Sequence, residues 1–190
     1  MNLMRPSLSL RGLLSNAPMG RFLAREFPVT RFEDLKIPFG AVAYDLDAGR
    51  EIVMKDEGDV IFAVRASCAV PGVFTPLAGP NGHFFVDGGV SSPLPIDVVR
   101  AMGADIVIAV DLIGCGGTYP RPPLTAMGFA IRSALALIKS ATRNQASQAD
   151  VVIKPQIAHL RPDQIGKRDE FILLGEAAAN SMIDKIRELL

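Results

Sequence analysis

The sequence predicts an α/β domain in which helices pack on a mainly parallel sheet. Apolar runs typical of strands alternate with segments of helical periodicity, which is the pattern of layered α/β domains. The run 106–110 is continuously apolar between Asp105 and Asp111, as expected of a strand buried on both faces in a parallel sheet. A chain of 190 residues can bury one core, so we expect a single domain over residues 1–190.

The first half of the chain predicts short helices and a hairpin. A compact polar turn at 45–50 separates two strand-like segments, which indicates that they pair as a hairpin. Asp59 is placed to cap a short helix that Pro71 and Gly72 end. The remaining predicted elements are short helices at 19–27 and 32–35, an extended segment at 73–77 and a strand at 83–86.

The second half predicts longer helices around buried strands. Pro93 and Pro95 bracket a helix start, Asp97 suits its first turn, and Gly103 is placed as its C-terminal glycine. The other predicted elements are the strand 106–110, a long helix at 124–145, a buried strand at 151–153 and a closing helix at 171–190.

Composition excludes several classes of function. Twenty basic and twenty acidic residues cancel, so no nucleic-acid surface is indicated. The two cysteines, Cys68 and Cys115, and the two histidines, His83 and His159, form no metal-binding or disulfide pattern, so we expect no metal and no cofactor. No secretory signal and no apolar run of about 20 residues is present, which favours a cytoplasmic protein and leaves peripheral membrane contact open.

One hexapeptide, Phe84 to Gly89, offers a candidate site. Three apolar residues lead directly into Asp87, so a strand is expected to present this carboxylate at its C-terminal tip, where ligands collect in α/β sheets. Gly88 and Gly89 permit positive φ or close backbone approach. The alternative is a plain turn, for which Asp-Gly is a common signal.

The other candidates are weaker. The sequence contains no Gly-x-Ser-x-Gly, and Ser91 and Ser92 are expected to be loop or cap hydroxyls. The loop beginning at Gly114 resembles a dinucleotide fingerprint, but prolines stand where a helix should start. Asp45, Asp47 and His159 are predicted to be turn or loop residues, and His83 an exposed residue at the start of a strand. Asp111 is the second choice for a functional carboxylate, with a cap or loop carboxylate as the alternative.

Four blocks, taken in order, give a specific resemblance. They run from Ala63 to Pro76, Phe85 to Val90, Pro93 to Pro95 and Gly103 to Asp111. Their order and spacing closely resemble patatin-like phospholipases, in particular the bacterial branch similar to neuropathy-target-esterase domains. The segment 37–49, through Ile37 to Phe39, Asp45, Leu46 and Gly49, and the segment 149–155 are also similar to that family. The resemblance therefore extends over nearly the whole chain.

This resemblance implies a lipid acyl-ester hydrolase of phospholipase or lysophospholipase type with a Ser-Asp dyad. Asp87 matches the family's general base, and Gly88 and Gly89 complete its Asp-Gly-Gly motif. The family's serine lies in a Gly-x-Ser-x-Gly elbow, and a Gly-rich loop supplies oxyanion donors. Both are expected to precede the matched region. The patatin-like sheet would then be incomplete at its N-terminal side, and the chain could associate through the open edge.

Two interpretations remain. In the first, the chain is the C-terminal portion of a patatin-like domain that carries the aspartate base without the nucleophile and is inactive alone. In the second, it is a noncatalytic patatin-like remnant that acts as a binding or partner module.

Overall fold

The computed structural model describes residues 5–6, 14–115, 123–160 and 164–190. The chain divides into two compact units, residues 1–92 and 93–190. The prediction of one domain over the whole chain stays a prediction.

The first unit is built on a four-stranded sheet with the strand order β4-β3-β6-β5, in which every neighbouring pair is antiparallel. A separate pair of two-residue strands, β1 and β2, is also antiparallel. The elements of this unit are β1 (Arg5–Pro6), β2 (Leu14–Ser15), α1 (Ala17–Glu26), β3 (Gly40–Asp45), β4 (Arg50–Lys55), α2 (Val60–Ser67), β5 (Leu77–Ala78) and β6 (Phe84–Asp87).

Helix α2 forms where the sequence predicted a capped helix. The Asp59 carboxylate accepts the N–H groups of Ile61 and Phe62, which would otherwise lack partners in the first turn. The helix buries small residues against the sheet: Ala66 packs with Ala43 of β3 and Phe85 of β6. Small side chains let α2 approach the strands closely, so it holds β3 and β6 in place.

The described part of the second unit contains a parallel strand pair, with helices before, between and after the two strands in the chain. Val107 and Ala109 lie in its core with Leu94 and Ile96. Its elements are α3 (Ile96–Ala101), β7 (Ile108–Val110), α4 (Ala126–Ala146), β8 (Val151–Ile153), α5 (Arg168–Asn180) and α6 (Ile183–Arg187), with β7 parallel to β8.

The α/β class is confirmed, but the prediction of a mainly parallel sheet is corrected. The larger sheet is antiparallel, and among the named strand pairs of the described residues β7 and β8 alone run parallel. The apolar run 106–110 is also not buried on both faces, because Ile108 and Val110 are 44% and 49% exposed while Ala109 between them is buried. An apolar run marks a strand, whereas the connections between strands set their direction.

Three predicted elements differ in kind or continuity from the observed ones. The closing helix is divided at Ser181 and Met182 into α5 and α6, and residues 32–34 form a 3₁₀ turn. The extended segment 73–77 contributes only its last residue, Leu77, to a strand. Gly103 has φ +96°, which confirms its predicted role as the glycine that ends α3.

Candidate active site

Asp87 is the last residue of β6 and is held by backbone bonds on two sides. It pairs with Ala43 of the central strand β3, and its N–H donates to the Ala69 carbonyl, 3.0 Å away, in the segment after α2. The preceding Val86 is fully buried and anchors the strand. The backbone that carries this carboxylate is therefore fixed by the sheet and by the end of α2.

The two glycines after Asp87 allow close approach and do not supply positive φ, which neither adopts. A Cβ on Gly88 would lie 2.3 Å from the carbonyl oxygen of Val42, a backbone atom of β3. The Gly89 N–H donates to Asp87 Oδ1 over 2.7 Å, and a Cβ on Gly89 would lie 3.0 Å from that oxygen. The first glycine thus permits contact with the sheet, and the second leaves room beside the carboxylate.

Burial raises the pKa of the Asp87 carboxyl, and the Gly89 N–H opposes this effect without cancelling it. A carboxylate that is partly removed from water is a stronger base than an exposed one. The geometry and the direction of this pKa shift suit a group that accepts a proton.

Asp87→Asn should stabilise the fold increasingly as pH rises. The pKa of Asp87 is higher in the folded chain than in the unfolded chain. The contribution of Asp87 to folding stability is therefore complete below the pKa of the unfolded chain, and it is lost as pH rises through the pKa of the folded chain. Asparagine stays neutral and can still accept the Gly89 N–H. Urea unfolding at pH 4.5 and 7.5 should show a larger advantage for the variant at pH 7.5. A constant or reversed difference would contradict the partial burial of the carboxylate.

Ser91 and Ser92, predicted to be loop or cap hydroxyls, both donate to one carboxylate oxygen. Ser91 Oγ lies 2.8 Å from Glu51 Oε2, and Ser92 Oγ donates to the same atom. Glu51 belongs to β4 and was not predicted as a site residue. No local motif marks it, since it contacts residues 40 and 41 positions away.

Asp45 and Asp47 are turn residues, as predicted. Asp45 Oδ1 accepts the N–H groups of Asp47 and Ala48, and Asp47 Oδ2 accepts that of Phe84. Asp45 Oδ2 lies 2.7 Å from His83 Nδ1, and this hydrogen bond raises the pKa of His83. Burial alone would raise the pKa of Asp45, but the bonds from Ala48, His83 and Asp47 outweigh it and lower that pKa.

His83 and Asp45 stabilise the start of β6, whereas Asp87 ends that strand. The structure therefore does not bring the Asp45–His83 pair together with Asp87. The pair holds the hairpin turn against the neighbouring strand.

The candidates of the second unit are loop and surface residues. Asp111 is buried, and its Oδ1 accepts the Gly114 N–H at 2.5 Å, as in a loop carboxylate. His159 Nε2 lies 2.9 Å from Glu170 Oε1 on the surface. Gly116 and Gly117 of the glycine-rich loop lie outside the described residues.

Within the described ranges, no three His, Cys, Asp or Glu side chains are grouped so as to hold a metal ion. The same ranges contain no helix with the length and apolar content needed to span a bilayer. Peripheral membrane contact and association through an open sheet edge stay predictions.

Comparison with known proteins decides the family. The sequence profile described as patatin-like phospholipase matches residues 1–100, which include β6, Asp87 and both glycines. The chain belongs to the patatin-like phospholipase family. The predicted resemblance is confirmed.

Several curated patatin-like relatives are similar to this chain. Patatin-like phospholipase domain-containing protein 7 of Mus musculus is 34% identical over 64% of this chain and 9% of its own length. Human patatin-like phospholipase domain-containing protein 6 is 38% identical over 53% of this chain and 7% of its own length. An uncharacterized NTE family protein of Mycobacterium bovis is 36% identical over 60% of this chain and 31% of its own length. The chain thus spans less than a third of the length of these patatin-like relatives.

Proposed function

We propose that this chain carries the general base of a patatin-like lipid acyl-ester hydrolase and that Asp87 is that base. The observation that supports this most strongly is the geometry of the Asp-Gly-Gly turn. Asp87 is fixed at a strand end, one oxygen is occupied by the Gly89 N–H, and burial raises the pKa of the carboxyl. Such a carboxylate can orient a serine hydroxyl and take its proton.

The reaction would begin at a serine in a Gly-x-Ser-x-Gly elbow, which these 190 residues do not contain. As the serine oxygen attacks the ester carbonyl, its proton passes to Asp87. The second carboxylate oxygen, Oδ2, would receive it, since Oδ1 accepts the Gly89 N–H. The alkoxide of the ester then leaves with a proton returned from Asp87, and water cleaves the acyl-serine by the same steps in reverse order.

Most of the remaining stabilisation of the transition state would come from backbone N–H groups that donate to the oxyanion. Each such donor is worth about 3 kcal/mol. In this family those donors are expected in a Gly-rich loop beside the serine. The proposed role of this chain is therefore specific: it supplies the base and the rigid turn that positions it.

The test is to join residues 1–190 to the segment that they lack. An N-terminal patatin-like segment with the Gly-rich loop and Gly-x-Ser-x-Gly is fused ahead of Met1. We expect the fused chain to hydrolyse p-nitrophenyl butyrate and to react with a fluorophosphonate at the elbow serine. The matched control is the same fusion with that serine replaced by alanine, which should do neither.

The alternative is a noncatalytic binding or partner module. Translation of the DNA upstream of the Met1 codon in all three forward frames discriminates between the two. A Gly-x-Ser-x-Gly segment there supports the hydrolase. Unrelated sequence, together with a folded but inactive fusion, supports the module.

A further inference from the structure

The Glu51 side chain connects the edge strand β4 to the turn that follows Asp87. Strand β3 lies between β4 and β6, so Glu51 joins two parts of the unit that do not pair directly. Its Oε2 accepts the hydroxyls of both Ser91 and Ser92. Because two consecutive side chains donate to one atom, the backbone at Ser91 and Ser92 is held in one orientation relative to β4.

The backbone of the same two serines closes the Asp-Gly-Gly turn. The N–H groups of Ser91 and Ser92 donate to the Gly88 carbonyl over 3.0 and 2.8 Å, and Ser91 Oγ lies 3.3 Å from that oxygen. The neighbouring Gly89 N–H donates to Asp87 Oδ1. A continuous series of hydrogen bonds therefore runs from Glu51 through the serines and the glycines to the candidate base.

We propose that Glu51 is a positioning residue: it holds Ser91 and Ser92 so that the turn 88–90 keeps the Asp87 carboxylate in its orientation. The proposal rests on the proposed function only for the role of Asp87 as a base. The role of Glu51 in holding the turn 88–90 can be tested without measuring any reaction.

Both hydroxyls bind the same oxygen of Glu51, so one acceptor atom is sufficient and the negative charge is not required. An amide oxygen at this position can accept the same two bonds. Glu51→Gln should therefore keep the turn, whereas Glu51→Ala leaves both hydroxyls without this acceptor. Both variants lose the charge, so the difference between them reports the hydrogen bonds alone.

The readout is the pKa of the Asp87 carboxyl, measured by carbon-13 NMR titration of the full 190-residue chain. Burial is the main cause of the raised pKa of this group. If the turn loosens, water reaches the carboxylate and the pKa moves down toward its ordinary value. We expect this downward shift in Glu51→Ala, a smaller one in Glu51→Gln, and a shift in the double variant Ser91→Ala/Ser92→Ala, which keeps the Glu51 charge.

The matched control is Glu57→Ala, which removes an exposed glutamate from the same unit and should leave the Asp87 titration unchanged. The double serine variant keeps the test decisive if Glu51→Ala does not fold. Equal Asp87 pKa values in Glu51→Gln and Glu51→Ala, or a wild-type value in the double variant, would overturn the positioning role.

An activity measurement on the fused chain distinguishes a failure of the proposed function from a failure of the role of Glu51. In the fused chain, Glu51→Ala should lower kcat by up to about 10²-fold, because small displacements of a catalytic group are costly, and Glu51→Gln should restore most of the loss. A fused chain without activity would contradict the proposed function, while the NMR titration would still decide the role of Glu51.

Discussion

Asp87→Asn should lower kcat of the fused chain for p-nitrophenyl butyrate by about 10²–10⁴-fold, the range that general-base catalysis contributes. Asparagine has nearly the same shape as aspartate and can still accept the Gly89 N–H, so the turn should persist. It cannot take the serine proton. The loss should therefore appear in kcat, calculated from the total concentration of folded protein, while circular dichroism shows that the variant stays folded.

The matched control for this substitution is Asp56→Asn. Asp56 is exposed in the same unit and has φ +66°, a backbone conformation that asparagine also tolerates. It should leave kcat unchanged. Full activity in Asp87→Asn would remove Asp87 from the mechanism, whatever the family pattern implies.

Gly88→Ala should destabilise the first unit by about 3 kcal/mol or more, at the upper end of overpacking effects. The added Cβ would lie 2.3 Å from the Val42 carbonyl oxygen. Val42 belongs to the central strand β3, so its backbone cannot move away without disturbing the pairs with β4 and β6. The backbone torsions of Gly88 do not forbid alanine, so the cost comes from this contact. Urea unfolding followed by circular dichroism measures it.

Gly175→Ala provides the control for the glycine substitution. Gly175 lies inside helix α5 and has no heavy atom within 4 Å of an added Cβ. Alanine should stabilise that helix by up to about 1 kcal/mol. If Gly88→Ala unfolds at the same urea concentration as the wild-type chain, the close approach of the turn to β3 is wrong.

Local signals in the sequence predicted the local structure well. Asp59 caps α2, Asp45 holds the hairpin turn, and Gly103 ends α3, because each feature depends on hydrogen bonds or torsions within a few residues. The order of strands and helices was predicted for the same reason. The position of Asp87 at a strand end also followed from the hexapeptide itself.

Features that depend on distant parts of the chain could not be predicted. The antiparallel pairing of β3 with β6 joins segments about 40 residues apart, and no residue pattern within either strand specifies it. The exposure of Ile108 and Val110 depends on what packs over β7, while their apolar character indicated burial. Glu51 was missed because its partners, Ser91 and Ser92, follow the turn after β6 and lie 40 and 41 positions away in the chain.

The candidate site also has a part that the local sequence predicted and a part that depends on distant residues. The Asp-Gly-Gly motif pointed to Asp87, and the structure adds the physical setting: a backbone bond to Ala69, the approach of Gly88 to β3 and the contact from Gly89. These contacts explain why two glycines follow the carboxylate. A residue with a side chain at the first position would collide with the strand, and one at the second would crowd the carboxylate.

The most direct test of the central claim is an ester assay on the unfused chain. Residues 1–190 and their Asp87→Asn variant are incubated with p-nitrophenyl butyrate beside a buffer control. Because these residues hold no Gly-x-Ser-x-Gly, the base has no nucleophile, and neither protein should exceed the buffer rate. Turnover by the unfused chain that disappears in Asp87→Asn would show a complete site within these residues and contradict the account.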